Sequence, residues 1–234
     1  MTTSVHVLVP SRGRPRNLSR LARAVNKTSA ALGRIWVRLD DDDETVDRYP
    51  VLPHVDYLVG PRTRFAASVN ELAEFAARDG ATHLAVLGDD VLPETDAWDL
   101  ALVAALDGRL GVAFGSDGLE HKHGPDLPTH VVVPVELYQA LGWVALPTLR
   151  HLFVDNAWRE LGRGLGNFVY RSDVKLTHLH PWVRKAPSDE TYREANDPEY
   201  RELDRLAFES WVHHGGLTEA LALLAAQDGV KPRP

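Results

Sequence analysis

Thr82-His83-Leu84-Ala85-Val86-Leu87-Gly88-Asp89-Asp90-Val91 is the stretch on which the fold turns. Thr82–Leu87 is a largely apolar run of strand length, and it empties directly into a glycine and two carboxylates. A buried strand that delivers charge at its end fits a parallel sheet, because such sheets bind ligands in the crevice at their carboxyl edge.

The same pattern repeats upstream. Val5-His6-Val7-Leu8-Val9 is stopped by Pro10 and leads into Ser11-Arg12-Gly13-Arg14-Pro15. From Asn17, the residues Leu18, Leu21, Ala22, Val25 and Leu32 recur at helical spacing, and Gly33 closes the segment as a glycine just past a helix end does. Ile35–Leu39 reads as the next strand and runs into the five carboxylates Asp40-Asp41-Asp42-Asp43-Glu44. Val55–Val59 ends at Gly60-Pro61, after which Phe65, Val69, Leu72, Ala73 and Ala76 mark a helix closing near Gly80. Trp98, Ala101, Leu102 and Ala105 trace the helix that follows Asp89-Asp90. This alternation predicts an α/β protein with a mostly parallel central sheet covered by helices on both faces.

Beyond the strand Leu110–Phe114 the rhythm changes, and the second half reads as mixed. Gly115–Thr129 is a loop rich in Gly, Asp and His, Val135–Leu141 is a helix, and Lys175–His180 is a strand. Ala186–Trp211 is highly charged with Tyr200, Leu203, Leu206 and Ala207 at helical spacing, so it reads as one amphipathic helix, either a static surface helix or part of a lid. Gly229–Pro234 is expected to fray. Residues 1–234 are taken as one domain, with 1–115, 116–185 and 186–234 as its successive parts.

Composition bounds the chemistry. The chain has 234 residues, no cysteine and a net charge of −7. Disulfide scaffolds, thiolate metal sites and thiol nucleophiles are therefore excluded, which leaves oxygen and imidazole ligands. No run approaches the roughly 18 apolar residues of a membrane span, and the apolar start lacks a charged n-region, so a cytoplasmic location is expected. The acidic balance argues against a protein that lives by neutralising phosphate backbones, although local basic clusters suit one small phosphorylated ligand.

The charged loops at the strand ends are the candidate site. Asp89-Asp90 reads either as hard oxygen ligands for Mg²⁺ or Mn²⁺ or as an acidic turn capping the next helix through Thr95 or Asp96. Arg12, Arg14 and Arg16 follow the first strand and Arg62 and Arg64 the third, as phosphate-reading forks or as solvated surface arginines. His178 and His180 lie two apart on one strand face, available to complete a metal site. Asp155 is either the N-cap of a helix over Ala157–Leu161 or a general base, with Asp117 as the rival base.

Taken together these residues resemble the nucleotide-diphosphosugar transferases of GT-A fold, in particular the family-2-like glycosyltransferases of bacteria and phages. The resemblance rests on Val7–Arg14, Trp36–Asp42, Arg64–Asn70 and Leu87–Asp90, and more loosely on Leu152–Asn156 and Thr177–His180. It implies a Rossmann-like GT-A fold whose residues 1–115 bind the nucleotide-sugar and whose residues 116–185 serve acceptor and metal. Pro10, Ser11, Arg12, Arg14, Asp40 and Asp42 would then hold the nucleotide, with Arg64 and Asn70 toward ribose and diphosphate. Asp89 would face the ribose, Asp90 and His180 would hold Mn²⁺ or Mg²⁺ with His178 as the alternative imidazole, and Asp155 would be the acceptor-side base. The motif here is Gly-Asp-Asp rather than a full Asp-x-Asp.

The implied reaction is metal-dependent, inverting transfer of a sugar to a hydroxyl acceptor: a protein, a glycan or another hydroxyl compound. A nucleic acid acceptor is disfavoured by the net charge of −7. The rivals are a non-catalytic nucleotide- or glycan-binding module of the same fold and a sugar-nucleotide pyrophosphorylase. The latter uses a glycine-rich basic loop after the first strand, where this chain has Gly13 alone.

Overall fold

The computed structural model describes residues 2–123, 125–179 and 190–228. Its strands are β1 (Val5–Pro10), β2 (Leu32–Asp40), β3 (Val55–Gly60), β4 (His83–Val86), β5 (Val91–Pro93), β6 (Val112–Ser116), β7 (Val131–Pro134) and β8 (Phe168–His178). Its helices are α1 (Pro15–Thr28), α2 (Phe65–Arg78), α3 (Trp98–Ala105), α4 (Glu120–His123), α5 (Val135–Leu141), α6 (Val154–Gly164), α7 (Glu190–Ala195), α8 (Pro198–His213) and α9 (Gly216–Asp228).

The strands form one sheet in the order β3-β2-β1-β4-β7-β6-β8-β5. β3, β2, β1 and β4 are parallel, as the alternation predicts. β7 then runs antiparallel to both β4 and β6, β6 is parallel to β8, and β5 pairs antiparallel with β8, which makes the second half mixed. Both faces are covered, so apolar residues on the two faces enter different cores. Leu84 and Val86 pack with α2, α5, α6 and α9 on one face. Ala85 and Leu87 pack with α1 and α3 on the other.

Three local expectations are corrected. The first helix ends at Thr28, and Leu32 and Gly33 belong to β2. The physical reason is Asp99, fully buried, whose carboxylate accepts the N–H groups of Ala30 (2.9 Å) and Ala31 (2.8 Å) and so fixes the turn after α1. Gly33 serves a close approach rather than a cap, because a Cβ there would lie 2.4 Å from the His6 ring. Second, the single helix expected over 186–211 is two: α7 stops at Ala195, and Pro198 opens α8 behind the N-cap Asp197. Third, the short strand β5 was not anticipated, and it proves central to the site.

Candidate active site

The carboxyl ends of β1, β2, β3 and β4 open into a crevice of about 450 Å³. Its first wall is made by loops that tie one another together. Arg12 donates to Asp40 (3.2 Å) and to Asp42. The Gly13 N–H donates to Asp43 (2.7 Å), and the Thr63 N–H donates to Asp40 (3.2 Å). The acidic run thus divides: Asp40 and Asp43 are buried staples between loops, whereas Asp41, Asp42 and Glu44 are exposed. Arg38, only 3% exposed, supports this wall from below through Glu71 (2.6 Å) and the carbonyl of Pro61 (2.7 Å).

Asp89 sits at the floor, 4% exposed, accepting from the Ser11 hydroxyl (2.7 Å) and Arg14 (3.2 Å). Tyr49 completes the relay by donating to Ser11 Oγ (3.0 Å) and accepting the Arg14 N–H (3.1 Å). Burial pushes the Asp89 carboxyl up to about 6, with Arg14 opposing that rise and Asp90 adding to it. A carboxylate set into such a network is fixed in place, ready to accept further hydrogen bonds from a ligand's hydroxyls.

Asp90 faces an imidazole. Its carboxylate lies 3.2 Å from His178 Nε2, because β5 pairs Val91 with His178 and the Leu179 N–H donates to the Asp90 carbonyl (2.8 Å). Burial acts to raise the Asp90 carboxyl, but the hydrogen bond and charge of His178 together with the charge of Arg14 outweigh it, and the pKa falls below the ordinary value. Burial correspondingly acts to lower His178, and Asp90 reverses that, so the imidazole pKa is raised. His180 lies outside the described residues.

The opposite wall comes from the second half. Asp155 lines the crevice in the first turn of α6, which begins at Val154 with Phe153 as its N-cap, so Asp155 is not the cap of a later helix. Burial raises its pKa. The rival Asp117 is committed elsewhere, accepting from the Leu119 N–H (2.7 Å), His123 (2.9 Å) and the Thr129 hydroxyl (2.6 Å), which together hold its pKa far below the usual carboxylate range against the opposing effect of burial. The segment before α6 is pinned by Asp204 of α8, 2% exposed, which accepts three backbone N–H groups, those of Arg150 (2.8 Å), His151 (3.0 Å) and Leu152 (2.8 Å).

Of the sequence-predicted residues, Pro10, Ser11, Arg12, Arg14, Asp40, Arg64, Asp89, Asp90, Asp155 and His178 line this one crevice, and Asp42 joins it through Arg12. Asn70 does not: its amide donates to the Ala145 carbonyl (2.7 Å) and accepts the N–H groups of Val144 (2.8 Å) and Ala145 (2.9 Å). It fastens α2 to a loop, a structural duty that its spacing on an apolar helix face does not reveal. The acidic turn at Asp89-Asp90 does not cap α3 either, since Ala97 occupies the N-cap and Thr95 bonds to β8 instead. Tyr49, His123, Arg150, Glu194 and Tyr200 were missed, each lying in a segment without strand or helix periodicity or far along the chain.

The fold is that of the GT-A-type glycosyltransferases. The mannosyltransferase PcManGT from Pyrobaculum calidifontis, solved with GDP-Man and Mn²⁺, superposes with a TM-score of 0.62 at 13% identity, covering 100% of this chain and 77% of that one. S. aureus TarS, solved with UDP-GlcNAc, gives 0.62 at 12% identity over 95% of this chain and 72% of its own. The catalytic domain of Drosophila beta1,4galactosyltransferase 7, complexed with xylobiose, gives 0.51 at 18% identity over 87% and 79%. The sequence matches no protein-family model and no curated protein.

Proposed function

We propose that this protein is a glycosyltransferase that moves a sugar from a nucleoside diphosphate sugar to a hydroxyl acceptor with inversion at the anomeric carbon. The observation that carries the reading is one crevice with two walls. Arg12, Arg14, Arg62 and Arg64 gather beside Asp89 and Asp90 at the strand ends, and Asp155 projects from α6 into the same space. The structural neighbours, solved with GDP-Man and with UDP-GlcNAc, support the same class of donor.

In this reading the arginines hold the two phosphates by bidentate, charge-assisted hydrogen bonds. Asp89, held by Ser11 and Arg14, accepts from the donor's ribose. Asp155 takes the proton of the acceptor hydroxyl, a task for which a pKa raised by burial suits a carboxylate. The acceptor oxygen forms its bond to the anomeric carbon as the bond to the β-phosphate oxygen breaks, and the bonding pair departs with the nucleoside diphosphate.

A divalent cation fits the donor set without being supplied by it alone. Among the described residues no group of three or more His, Asp or Glu is placed to hold a metal. Asp90 with His178, or with His180, offers one carboxylate and one imidazole, which suits Mn²⁺ or Mg²⁺ shared with a substrate's phosphates. Bound there, the ion would supply positive charge to the departing diphosphate.

The acceptor is a protein, glycan or other hydroxyl compound, and the acidic net charge of −7 disfavours duplex nucleic acid. Among the described residues no helix is long and apolar enough to cross a membrane.

The test is a thermal-shift panel of UDP, GDP, CDP, ADP and dTDP, each with and without Mn²⁺, on the wild type and Asp90→Ala. A bound ligand raises the melting temperature by mass action. One nucleotide is expected to stabilise the wild type only with metal and the variant not at all. The absence of any shift under every condition would overturn the nucleotide–metal site.

A further inference from the structure

Helix α7 reaches back from residue 190 onward to touch two of the loops that form the first wall of the crevice, those after β1 and β3. Glu194 pairs with both Arg62 and Arg64, and the Thr191 hydroxyl donates to the Arg12 carbonyl (3.4 Å). One carboxylate shared by two guanidinium groups imitates what a phosphate does at the same place, and these are arginines that the proposed function gives to the donor's phosphates. Resting on that reading, we infer that Glu194 is an internal competitor for the donor: it holds Arg62 and Arg64 until a diphosphate takes them over, and α7 must then move.

The attachment of α7 is suited to this. None of its described side chains is buried, so it is held by polar contacts and contributes little to either core. α8 does not depend on it. Asp197 caps α8 by accepting the Glu199 N–H (2.9 Å), and α8 is fastened to the body by Asp204 and by Phe208, stacked on Phe153 with centroids 5.8 Å apart. α7 therefore swings about Asn196–Asp197 without cost to the helix behind it. The arginines stay aimed when Glu194 leaves: Arg62 lies 3.8 Å from Asp40, and Arg64 lies over the Tyr200 ring at 5.5 Å. A diphosphate brings more than one negative charge to a pair that Glu194 holds with a single one, which sets the direction of the exchange.

Affinity for an anion at this pair is reduced by the fraction of time α7 is docked, so docking nine-tenths of the time weakens it about tenfold. The experiment titrates inorganic pyrophosphate with Mg²⁺ by calorimetry into the wild type, Glu194→Gln, Glu194→Ala and the double variant Arg62→Ala/Arg64→Ala. Both Glu194 variants are expected to bind about tenfold more tightly than the wild type, and the arginine variant to lose binding. Equal or weaker binding by the Glu194 variants overturns the competitor, while loss of binding confined to the arginine variant leaves the phosphate site standing. No pyrophosphate binding by any of the four overturns both the competitor and the phosphate site of the proposed function.

Discussion

The two walls of the crevice are built by different means. The strand-end wall is presented by parallel strands, and its charged loops follow β1, β2, β3 and β4 directly, so position in the chain and position in space agree. The helical wall is presented by irregular segments that are held by single carboxylates: Asp204 pins residues 150–152 ahead of α6, and Asp117 pins the turn at Leu119 and the Thr129 hydroxyl. A parallel sheet aims its loops through its own topology, whereas a wall without strands needs buried acceptors for backbone N–H groups that would otherwise go unpaired.

The largest effect expected from this division falls on chemistry. Asp155→Asn keeps the shape of the helical wall but removes the proposed base, so on that proposal turnover should fall about 10²–10⁴-fold. The thermal shift expected from nucleotide at the strand-end wall should be unchanged. A variant that loses both together would show that the walls do not divide the labour.

The next effect separates the halves by pH. His130, 1% exposed, accepts the Gly115 N–H through Nε2 (3.3 Å) and is thereby kept neutral. Burial pushes its pKa down to about 4, with Asp117 and Glu120 pulling the other way and His178 and His123 adding to the fall. The unfolded chain takes up this proton near the ordinary value and the folded chain does not. The stability contributed is therefore fully present above about pH 6.5 and is lost as pH falls toward 4, on the order of 3 kcal/mol in all. Urea unfolding of the wild type and His130→Gln at about pH 7 and about pH 4.5 checks it. Equal pH dependence in the two proteins would remove His130 from the account.

The smallest effect tests the staple itself. Asp204→Ala leaves three backbone donors without their acceptor, at a cost of about 2–3 kcal/mol once water reaches the exposed Arg150 and His151. A fall of roughly 5–10 °C in melting temperature corresponds to that loss. A variant melting like the wild type would show that the helical wall holds without its carboxylate.

The contrast also explains what was legible. β1, β4 and α2 were read nearly to the residue, because short continuous apolar runs and period-3.6 apolar patterns register burial in a covered sheet or on a helix directly. The placement of the strand-end residues at the crevice was legible for the same reason: once the strand is placed, the residue after it is at the crevice. The helical wall was legible only in its parts. Asp155 lines the crevice as placed, but α6 starts earlier than expected: Phe153, stacked on Phe208, takes up the left-handed conformation at its N-cap, φ 64°, which its residue type does not favour. Asn70 sits within a well-read helix, yet its partners are backbone groups of residues 144 and 145, at a distance no spacing rule spans.

By itself the sequence determined the α/β layering, the parallel half of the sheet and the delivery of arginines and carboxylates to one sheet edge, because each follows from patterns within a dozen neighbouring residues. Only the tertiary structure decided that β5 sets Asp90 against His178, that Asp117 is spent on its own loop while Asp155 faces the crevice, and that Glu194 closes on Arg62 and Arg64. Those three outcomes depend on contacts between residues 88 to 132 positions apart or on which of two like carboxylates finds buried donors, and that competition is settled by packing.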